Sequence, residues 1–227
     1  MPSRRSAPEE RRGAGAPGVR GPGGPWVLVG LGNPGRQYAR NRHNVGAMAV
    51  TALAQEYGQT PRPHRSRCLV ARFTVPITGP ITGPITGPIT GHGGSASVSS
   101  ASSVSVVVAQ PAVFMNEAGG PVKALLAYFS VGCANLVVVH DDLELRFGEM
   151  RVKAGGGTGG HNGLRSLTRA MGTGEYTRLR IGIGRPPGRQ DPADFVLRDF
   201  SKSELGQLPV LMAQARDVLH GLIGGSA

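Results

Sequence analysis

The chain has 227 residues and a formal net charge of +11, because 25 lysines and arginines outnumber 14 aspartates and glutamates. This length fits one domain of ordinary size with some additional unstructured sequence. The charge excess predicts either a polyanionic partner, with nucleic acid as the first candidate, or a contribution to solubility alone, and composition does not decide between the two.

The cysteines and the apolar segments exclude several classes of protein. Cys68 and Cys133 lie far apart and form no C-x-x-C pair, which argues against a disulfide scaffold or a zinc knuckle and favours a reduced cytosolic setting. No apolar run reaches the roughly 18 residues that a membrane span needs. The first residues carry arginines but no apolar core, so we expect no secretory signal.

Two segments have the composition of unstructured chain. Residues 1–25 are rich in proline, glycine and arginine and cannot bury enough apolar surface to offset ordering entropy, so they are predicted to be a disordered basic tail. The unit ITGP recurs from Ile77 to Gly91 within a low-complexity stretch at about 76–103. A proline every four residues forbids a regular helix or a central strand, and the stretch is interpreted as a neutral expansion of a hairpin loop.

From Trp26 onward, strand and helix patterns alternate, which predicts a single α/β domain with a largely buried sheet. The predicted strands are Trp26–Gly32, Cys68–Val75, Val104–Ala109, Leu136–Asp141, Met150–Lys153 and Tyr176–Ile183. The predicted helices are Val45–Tyr57, Glu117–Phe129 with Asn116 as its N-cap, Asn162–Met171 and Ser201–Leu222.

The segment from Gly30 to Gly35 reads G-x-G-x-x-G after a strand, so a dinucleotide site has to be considered. Three features count against it. Pro34 stands where a backbone N–H should face the pyrophosphate, the next helix begins only near Asn44, and the second strand ends without an acid to hold a ribose. Asn33 at the carboxyl edge of the strand is better placed to bind a ligand.

A second glycine-rich segment, Gly155–Gly163, resembles a phosphate-binding loop. His161 and Asn162 stand where a P-loop requires lysine and serine or threonine, so a P-loop is rejected. A merely flexible loop is the alternative. We favour a ligand loop, because backbone amides and the start of the following helix suit a phosphate or a carbonyl group.

His43 and Asp141 are the candidate acid–base residues. A lone histidine at a helix start is more often a cap or a surface residue, but Asp141 ends an apolar strand, at the edge where α/β clefts form. Paired with His43, it would fix the tautomer of the imidazole and stabilise the imidazolium ion. The sequence shows neither a nucleophile motif nor metal-ligand spacing, so this histidine would activate water directly.

Taken together, five segments resemble the bacterial-type peptidyl-tRNA hydrolase family. They are VGLGNPGRQYARNRHNVG (29–46), PAVFMNEAGGPV (111–122), VVVHDDLEL (137–145), GGGTGGHNGL (155–164) and RLRIGIGRP (178–186). Phe114 to Asn116 alone would suggest only a core aromatic residue and a helix cap. The resemblance covers most of the chain after Trp26 and leaves out the tail and the ITGP insertion.

The resemblance implies a monomeric, cytoplasmic ester hydrolase with a mixed, mostly parallel twisted sheet and helices on both faces. It implies cleavage of the ester between a peptide and the 3′ ribose of tRNA, which recycles tRNA from prematurely released peptidyl-tRNA, without metal or cofactor. By position, the catalytic residues are His43 as the base, Asp141 as its acidic partner, and Asn33, which helps to distinguish peptidyl-tRNA from free aminoacyl-tRNA. The implied substrate-binding residues are Tyr38, Asn44, Phe114, Met115, Asn116, Gly159, His161 and Asn162.

The resemblance also implies that Lys153 and Arg180 form a basic pair that grips the terminal phosphate of the tRNA. Thr158 and Arg185 depart from the histidines that the family often has at these positions. The segment from Arg185 to Val196, which contains three prolines, is expected to form a mobile lid over the cleft.

Two rival interpretations remain at the level of sequence. One is an oxidoreductase that binds a nicotinamide nucleotide, and it rests on the glycine motif at Gly30. The other is a non-catalytic RNA-binding protein, against which the presence of both His43 and Asp141 argues.

Overall fold

A computed structural model describes residues 24–77 and 102–224. The ITGP repeat and nearly all of the predicted tail therefore lie outside the described residues. Within them, the chain forms one seven-stranded sheet in the order β2-β3-β4-β1-β5-β7-β6. The strands are β1 Trp26–Gly30, β2 Arg62–His64, β3 Cys68–Ile77, β4 Ser102–Pro111, β5 Leu136–Asp142, β6 Met150–Ala154 and β7 Thr177–Gly182. The helices are α1 Val45–Glu56, α2 Gly119–Phe129, α3 Asn162–Met171, α4 Pro192–Val196 and α5 Lys202–Gly224.

The sheet is mixed, as the resemblance implies, although parallel pairings are not in the majority. The central strands β4, β1, β5 and β7 pair in parallel. The antiparallel pairings lie at the two edges, where β2 and β3 extend one side and β6 completes the other. The six pairings are therefore evenly divided between the two kinds.

Alternation along the central strands divides the core between two faces of the sheet. Leu28 of β1 faces one cluster together with α1 and α5, whereas its neighbours Val27 and Val29 face the other cluster, with α2 and α3. Helices thus cover both faces, in agreement with the expected architecture, and the parallel strands are apolar on both sides because neither side meets water.

Two glycines allow α1 to approach the backbone of the sheet closely. A Cβ atom on Gly46 would lie 2.1 Å from the carbonyl oxygen of Val139, and one on Gly30 would lie 2.4 Å from the oxygen of Gly46. The amino end of α1 is therefore held against the carboxyl ends of β1 and β5. This contact sets the position of the turn Arg42–Asn44, which precedes the helix directly.

The beginning of α2 differs from the sequence prediction. A 3-10 turn at Met115–Glu117 precedes the helix, which starts at Gly119 after Ala118 and has no side-chain cap. Asn116 is therefore not the N-cap, and its amide is left free for other contacts. The prediction was wrong because the tight turn keeps the backbone of Asn116 within the turn rather than just outside a helix.

The sequence analysis missed β2 and α4. Each has five residues or fewer and contains a proline, so neither is long enough to produce a periodic apolar pattern. Among the described residues, no helix has the length and apolar content that crossing a membrane requires.

The close approach of α1 can be tested with two glycine-to-alanine substitutions. Gly46→Ala should lower the free energy of unfolding by about 1–3 kcal/mol, because the added methyl group has to displace backbone of β5. Urea unfolding followed by circular dichroism measures the change. Gly120→Ala is the matched control: nothing lies within 4 Å of its Cβ position, so stability should stay equal or rise slightly. Equal stabilities for the two variants would contradict the packing described.

Candidate active site

A cavity of about 1130 Å³ opens at the carboxyl ends of β1 and β5. Twelve of the thirteen site residues expected from the sequence line it, and Asn44 is the exception. They are Asn33, Tyr38, His43, Phe114, Met115, Asn116, Asp141, Lys153, Gly159, His161, Asn162 and Arg180. Five separate segments of the chain therefore meet at one cleft.

His43 and Asp141 meet at the base of this cleft. The Nδ1 atom of His43 lies 2.8 Å from Oδ1 of Asp141, although the residues are 98 positions apart in sequence. Both side chains are buried, with His43 7% and Asp141 3% exposed. The turn before α1 carries the imidazole and the end of β5 carries the carboxylate, so the helix–sheet contact at Gly46 holds both partners.

His161 makes a second hydrogen bond to the same oxygen, with its Nε2 atom 3.0 Å from Oδ1 of Asp141. Its Nδ1 atom caps α3 by accepting the backbone N–H groups of Gly163 at 3.1 Å and Leu164 at 3.4 Å. Both ring nitrogens are thus used within the protein. Although His161 lines the cavity, any contact with a ligand would be made by the carbon edge of the ring.

These contacts determine where the protons are. Because Nδ1 of His161 accepts hydrogen bonds, its proton is on Nε2 and is donated to Asp141. Burial by itself raises the pKa of Asp141, but the two imidazoles outweigh it and hold the pKa below its usual range. The ionised carboxylate only accepts, so Nδ1 of His43 must donate, which leaves Nε2 of His43 as an acceptor.

The same cluster can be tested as a metal site. His43, Asp141 and His161 bring three possible ligand atoms within 4.8 Å of one another. A metal ion on Nε2 of His161 would require that atom to lose its proton to Nδ1, and Nδ1 would then face the N–H groups of Gly163 and Leu164 with a proton of its own. The helix cap therefore disfavours a metal at this position.

His140 is a third buried histidine at the cleft, and sequence reasoning gave it no role. Its Nδ1 atom donates to the backbone oxygen of Asp141 at 2.7 Å, and its ring packs edge-on against His161 with centroids 5.0 Å apart. Burial and the neighbouring His161 lower the pKa of His140 to about 3. His140 is therefore neutral near pH 7 and adds no charge beside Asp141.

Asn33 is fixed through both its backbone and its side chain. Its backbone N–H donates to Oδ1 of Asn44 at 2.8 Å, and its carbonyl accepts from Nδ2 of Asn44 at 2.9 Å. The side-chain Oδ1 of Asn33 accepts from the backbone N–H of Met115 at 2.8 Å. Asn44 is thus occupied behind the cleft rather than lining it, while Nδ2 of Asn33 remains a donor at the cavity wall.

The other polar residues expected from the sequence stand open to the cavity. Asn116 is exposed, and its side chain forms no hydrogen bond to other described residues. Asn162 is exposed, and within the described part of the chain its side chain accepts a hydrogen bond from Arg165 alone. Tyr38 and Phe114 pack edge to face with ring centroids 6.3 Å apart, and Phe114 is 52% exposed. Free amides and an apolar wall suit a peptide segment.

Basic side chains line the opposite wall of the cleft, on β6 and β7. Lys153 stands opposite Arg178 in the register, so their side chains share one face with Arg180. Lys153 is exposed, whereas Nε of Arg180 is bonded to Oδ2 of Asp142 at 2.7 Å. This hydrogen bond raises the pKa of Arg180. Lys153 and Arg180, the expected basic pair, therefore line the same cleft, and Arg180 is already bonded to Asp142.

Arg178 was not singled out by sequence reasoning, yet it shapes the glycine-rich loop. It is 2% exposed, and its guanidinium donates to the carbonyl oxygens of Gly156 at 2.6 Å, Gly157 at 2.5 Å and Gly174 at 3.2 Å. In the sequence, the role of Arg178 was indicated only by the alternation of arginines along β7. By fixing these carbonyls, Arg178 holds the loop that leads into His161.

Arg42, which immediately precedes His43, anchors the segment that was expected to form a lid. Its guanidinium donates to the carbonyl of Asp199 at 2.8 Å and to Glu204 at 2.7 Å, and it lies 4.3 Å from the ring centroid of Phe195. Within this segment, α4 is a helix and lines the cavity through Pro192, Ala193 and Val196. The lid segment is thus tied at its carboxyl end to the histidine turn.

The arrangement does not support a dinucleotide site at Gly30–Gly35. A 3-10 turn at Arg36–Tyr38 and another at Arg42–Asn44 separate the glycines from α1, so the helix start does not face the loop. The close approach at Gly30 is to α1 rather than to a ligand.

Comparison with known proteins agrees with the site. The family model described as peptidyl-tRNA hydrolase matches residues 27–226. The peptidyl-tRNA hydrolase of Frankia casuarinae is 46% identical over 200 residues, covering 88% of each chain. That of Mycobacteroides abscessus is 43% identical over 197 residues, covering 87% of this chain and 88% of the other. The crystal structure of the Acinetobacter baumannii enzyme superposes with a TM-score of 0.70 at 28% identity, covering 94% and 92% of the two chains.

The fold and the cleft are those of an α/β ester hydrolase. The chain belongs to the peptidyl-tRNA hydrolase family, and its reaction is cleavage of the ester bond in peptidyl-tRNA. This membership rejects both rivals, the nicotinamide-dependent oxidoreductase and the non-catalytic RNA-binding protein.

The buried neutral state of His140 predicts acid sensitivity. Its pKa is about 3 in the folded chain against 6.5 in the unfolded chain, so only the unfolded chain takes up this proton between those values. The free energy of unfolding should therefore fall by about 1 kcal/mol per pH unit as pH drops from 6.5 to 4.5. His140→Gln should remove this part of the slope in urea titrations. Identical slopes for the variant and the wild type would contradict a neutral buried His140.

Proposed function

We propose that His43 is the general base of peptidyl-tRNA hydrolysis and that no metal ion takes part. The observation that carries the proposal is the shared Oδ1 atom of Asp141, which accepts from Nδ1 of His43 at 2.8 Å and from Nε2 of His161 at 3.0 Å. It leaves Nε2 of His43 as the unprotonated atom, and His43 lines the cavity. Placement of a base within reach of a water molecule is what direct hydrolysis requires.

In the proposed reaction, Nε2 of His43 takes a proton from a water molecule as its oxygen forms a bond to the ester carbonyl carbon. Asp141 stabilises the imidazolium that results. When the tetrahedral intermediate collapses, the bond to the ribose 3′ oxygen breaks, and that oxygen receives the proton from His43. The amide N–H groups of Asn116 and Asn162, both free in the cleft, are the donors available to the developing oxyanion.

Asn33 is proposed to select substrates with a blocked amino group. Its Oδ1 is bonded to the backbone of Met115, so Nδ2 is the atom that can contact substrate. An N–H donor suits the carbonyl of a peptide bond, whereas the ammonium group of free aminoacyl-tRNA offers only donors. The pairing of Asn33 with Asn44 restricts its backbone and supports this role.

The tRNA part of the substrate is proposed to lie along β6 and β7. Lys153 is exposed there and Arg180 is held by Asp142, so both can contact phosphate without reading base sequence. The acceptor stem would then enter over this wall, and the segment Arg185–Val196 would close over the cleft as a lid. We further propose that the protein acts as a monomer in the cytoplasm.

The proposed base can be tested by His43→Ala. Loss of the proton acceptor should lower kcat for an N-blocked aminoacyl-tRNA by at least about 100-fold, while binding of deacylated tRNA stays close to that of the wild type. His220→Ala, which changes a histidine near Glu56 on the α1–α5 side, is the matched control and should keep full activity. Retention of wild-type kcat in His43→Ala would remove His43 from the mechanism.

The proposed role of Asn33 can be tested by Asn33→Asp. One carboxylate oxygen can still accept from Met115, so the change replaces only the Nδ2 donor by an acceptor. The ratio of kcat/KM for N-blocked over free aminoacyl-tRNA should fall by about tenfold or more, since an oxygen repels a carbonyl and attracts an ammonium group. Paired release assays on the same tRNA measure the ratio, and an unchanged ratio would show that selection lies elsewhere.

A further inference from the structure

A cluster of arginines on the β2–β3 hairpin has no place in the site described above. Arg62, Arg65 and Arg67 are exposed, and the guanidinium of Arg65 lies 4.3 Å from the ring centroid of Tyr128 on α2. Tyr128 is itself 48% exposed. These four residues are called the hairpin patch below.

Among the residues that the structure describes, no acidic side chain forms an ion pair with the arginines of the hairpin patch. Between Tyr57 and His140 the sequence contains a single carboxylate, Glu117. Within residues 24–77 and 102–224, none of the three arginines forms an ion pair within 4.0 Å. Three positive charges that lie close together in sequence and have no ion-pair partner among the described residues favour an external anion.

Hydrogen bonds hold the hairpin turn in a backbone conformation that disfavours an arginine. Arg67 has a φ of 61°, a left-handed conformation that is unfavourable for an ordinary residue and that glycine or asparagine adopts readily. Hydrogen bonds from Arg67 N to His64 O at 3.0 Å and from Ala112 N to Arg67 O at 2.8 Å hold this turn. The backbone of this exposed arginine is thus held in an unfavourable conformation by its hydrogen bonds.

The hairpin patch lies on the peptide side of the cleft. Cys68 is opposite Pro111 in the register, so the turn lies at the same end of the sheet as the cavity. The bond from Ala112 joins it to the segment that carries Phe114 into the cavity wall. With the tRNA along β6 and β7, the peptide has to leave past Tyr38 and Phe114, towards β3.

The spacing of the strands gives the distance that a peptide has to span between Asp141 and the hairpin patch. Three inter-strand steps separate β5, which carries Asp141, from β3, and at about 4.8 Å each they amount to roughly 14 Å. An extended peptide covers this distance in about four residues.

We infer that the hairpin patch binds acidic side chains of the nascent peptide about four to six residues from the ester, so that this enzyme cleaves acidic peptidyl-tRNAs faster than basic ones. The inference rests on the proposed placement of tRNA along β6 and β7. An RNA phosphate chain is the other anion that could occupy the patch. The patch lies across the cleft from the basic wall, which favours the peptide.

The test uses three peptidyl-tRNAs with the same tRNA and the same three residues next to the ester. Positions four to six carry three aspartates, three serines or three lysines. For the wild type at low salt, kcat/KM should be about tenfold higher for the aspartate than for the lysine substrate, and the ratio should approach one at about 0.5 M salt. In the variant R62Q/R65Q/R67N, in which asparagine keeps the left-handed turn, the low-salt ratio should also approach one.

The ratio compares substrates on one protein, so partial unfolding does not affect it. Arg72→Gln removes one charge from the middle of β3 and is the matched control for Arg65→Gln. Arg72→Gln should keep the wild-type ratio, and Arg65→Gln should lower it. A wild-type ratio near one, or a high ratio retained in the triple variant, overturns the inference.

Filter binding of deacylated tRNA separates the two proposals. Lys153→Ala should weaken this binding and flatten its salt dependence, whereas the triple hairpin variant should leave it unchanged. Weaker tRNA binding by the triple variant would assign the hairpin patch to RNA and overturn the inference. Unchanged tRNA binding by Lys153→Ala would overturn the placement of tRNA on which it rests, whatever the peptide ratio.

Discussion

The site depends on one buried oxygen atom, Oδ1 of Asp141, which accepts a hydrogen bond from each of two imidazoles. A carboxylate at 3% exposure is costly unless it is paired. The donors come from the turn before α1 and from the start of α3, which cover opposite faces of the sheet. Burial of this ionised group therefore requires the strand end and both helices to be in place, and removal of either donor would leave the buried charge partly unpaired.

Each loop around the carboxylate is held by a buried side chain that hydrogen-bonds within the protein. Asn44 restricts Asn33, Arg178 holds the glycine loop through its carbonyls, and Arg42 ties the end of the lid segment to the turn that carries His43. The side chains of the site can thus hold precise positions although they are on loops, because buried hydrogen bonds fix these loops in place of secondary structure. Arg42, the residue next to His43, in particular contacts the carboxyl end of the segment proposed as a lid.

Much of the fold could be predicted because the signals are local, whereas most of the cleft residues were expected only from the resemblance to a known family. The apolar run Leu136–Asp142 indicates a buried strand, and the polar residues that end such strands meet at one edge of the sheet. The direction in which each side chain points could not be predicted from the sequence. Asn44 and His161 have the residue types of ligand contacts, but their polar atoms turn inward, to Asn33 and to Asp141 with the α3 cap. That choice is set by contacts between separate elements, 11 positions apart for Asn33 and Asn44 and 20 positions apart for Asp141 and His161, which the apolar pattern of each element does not contain.

The proposed mechanism depends on which ring nitrogens of His43 and His161 carry protons, and nitrogen-15 NMR of the histidine rings tests this most directly. In uniformly labelled protein near pH 7.5, His43 should show a protonated Nδ1 and an unprotonated Nε2, and His161 should show the reverse. Single substitutions of the two residues would assign their signals. A His43 ring protonated on Nε2 would contradict the account, because that atom could not then accept a proton from water.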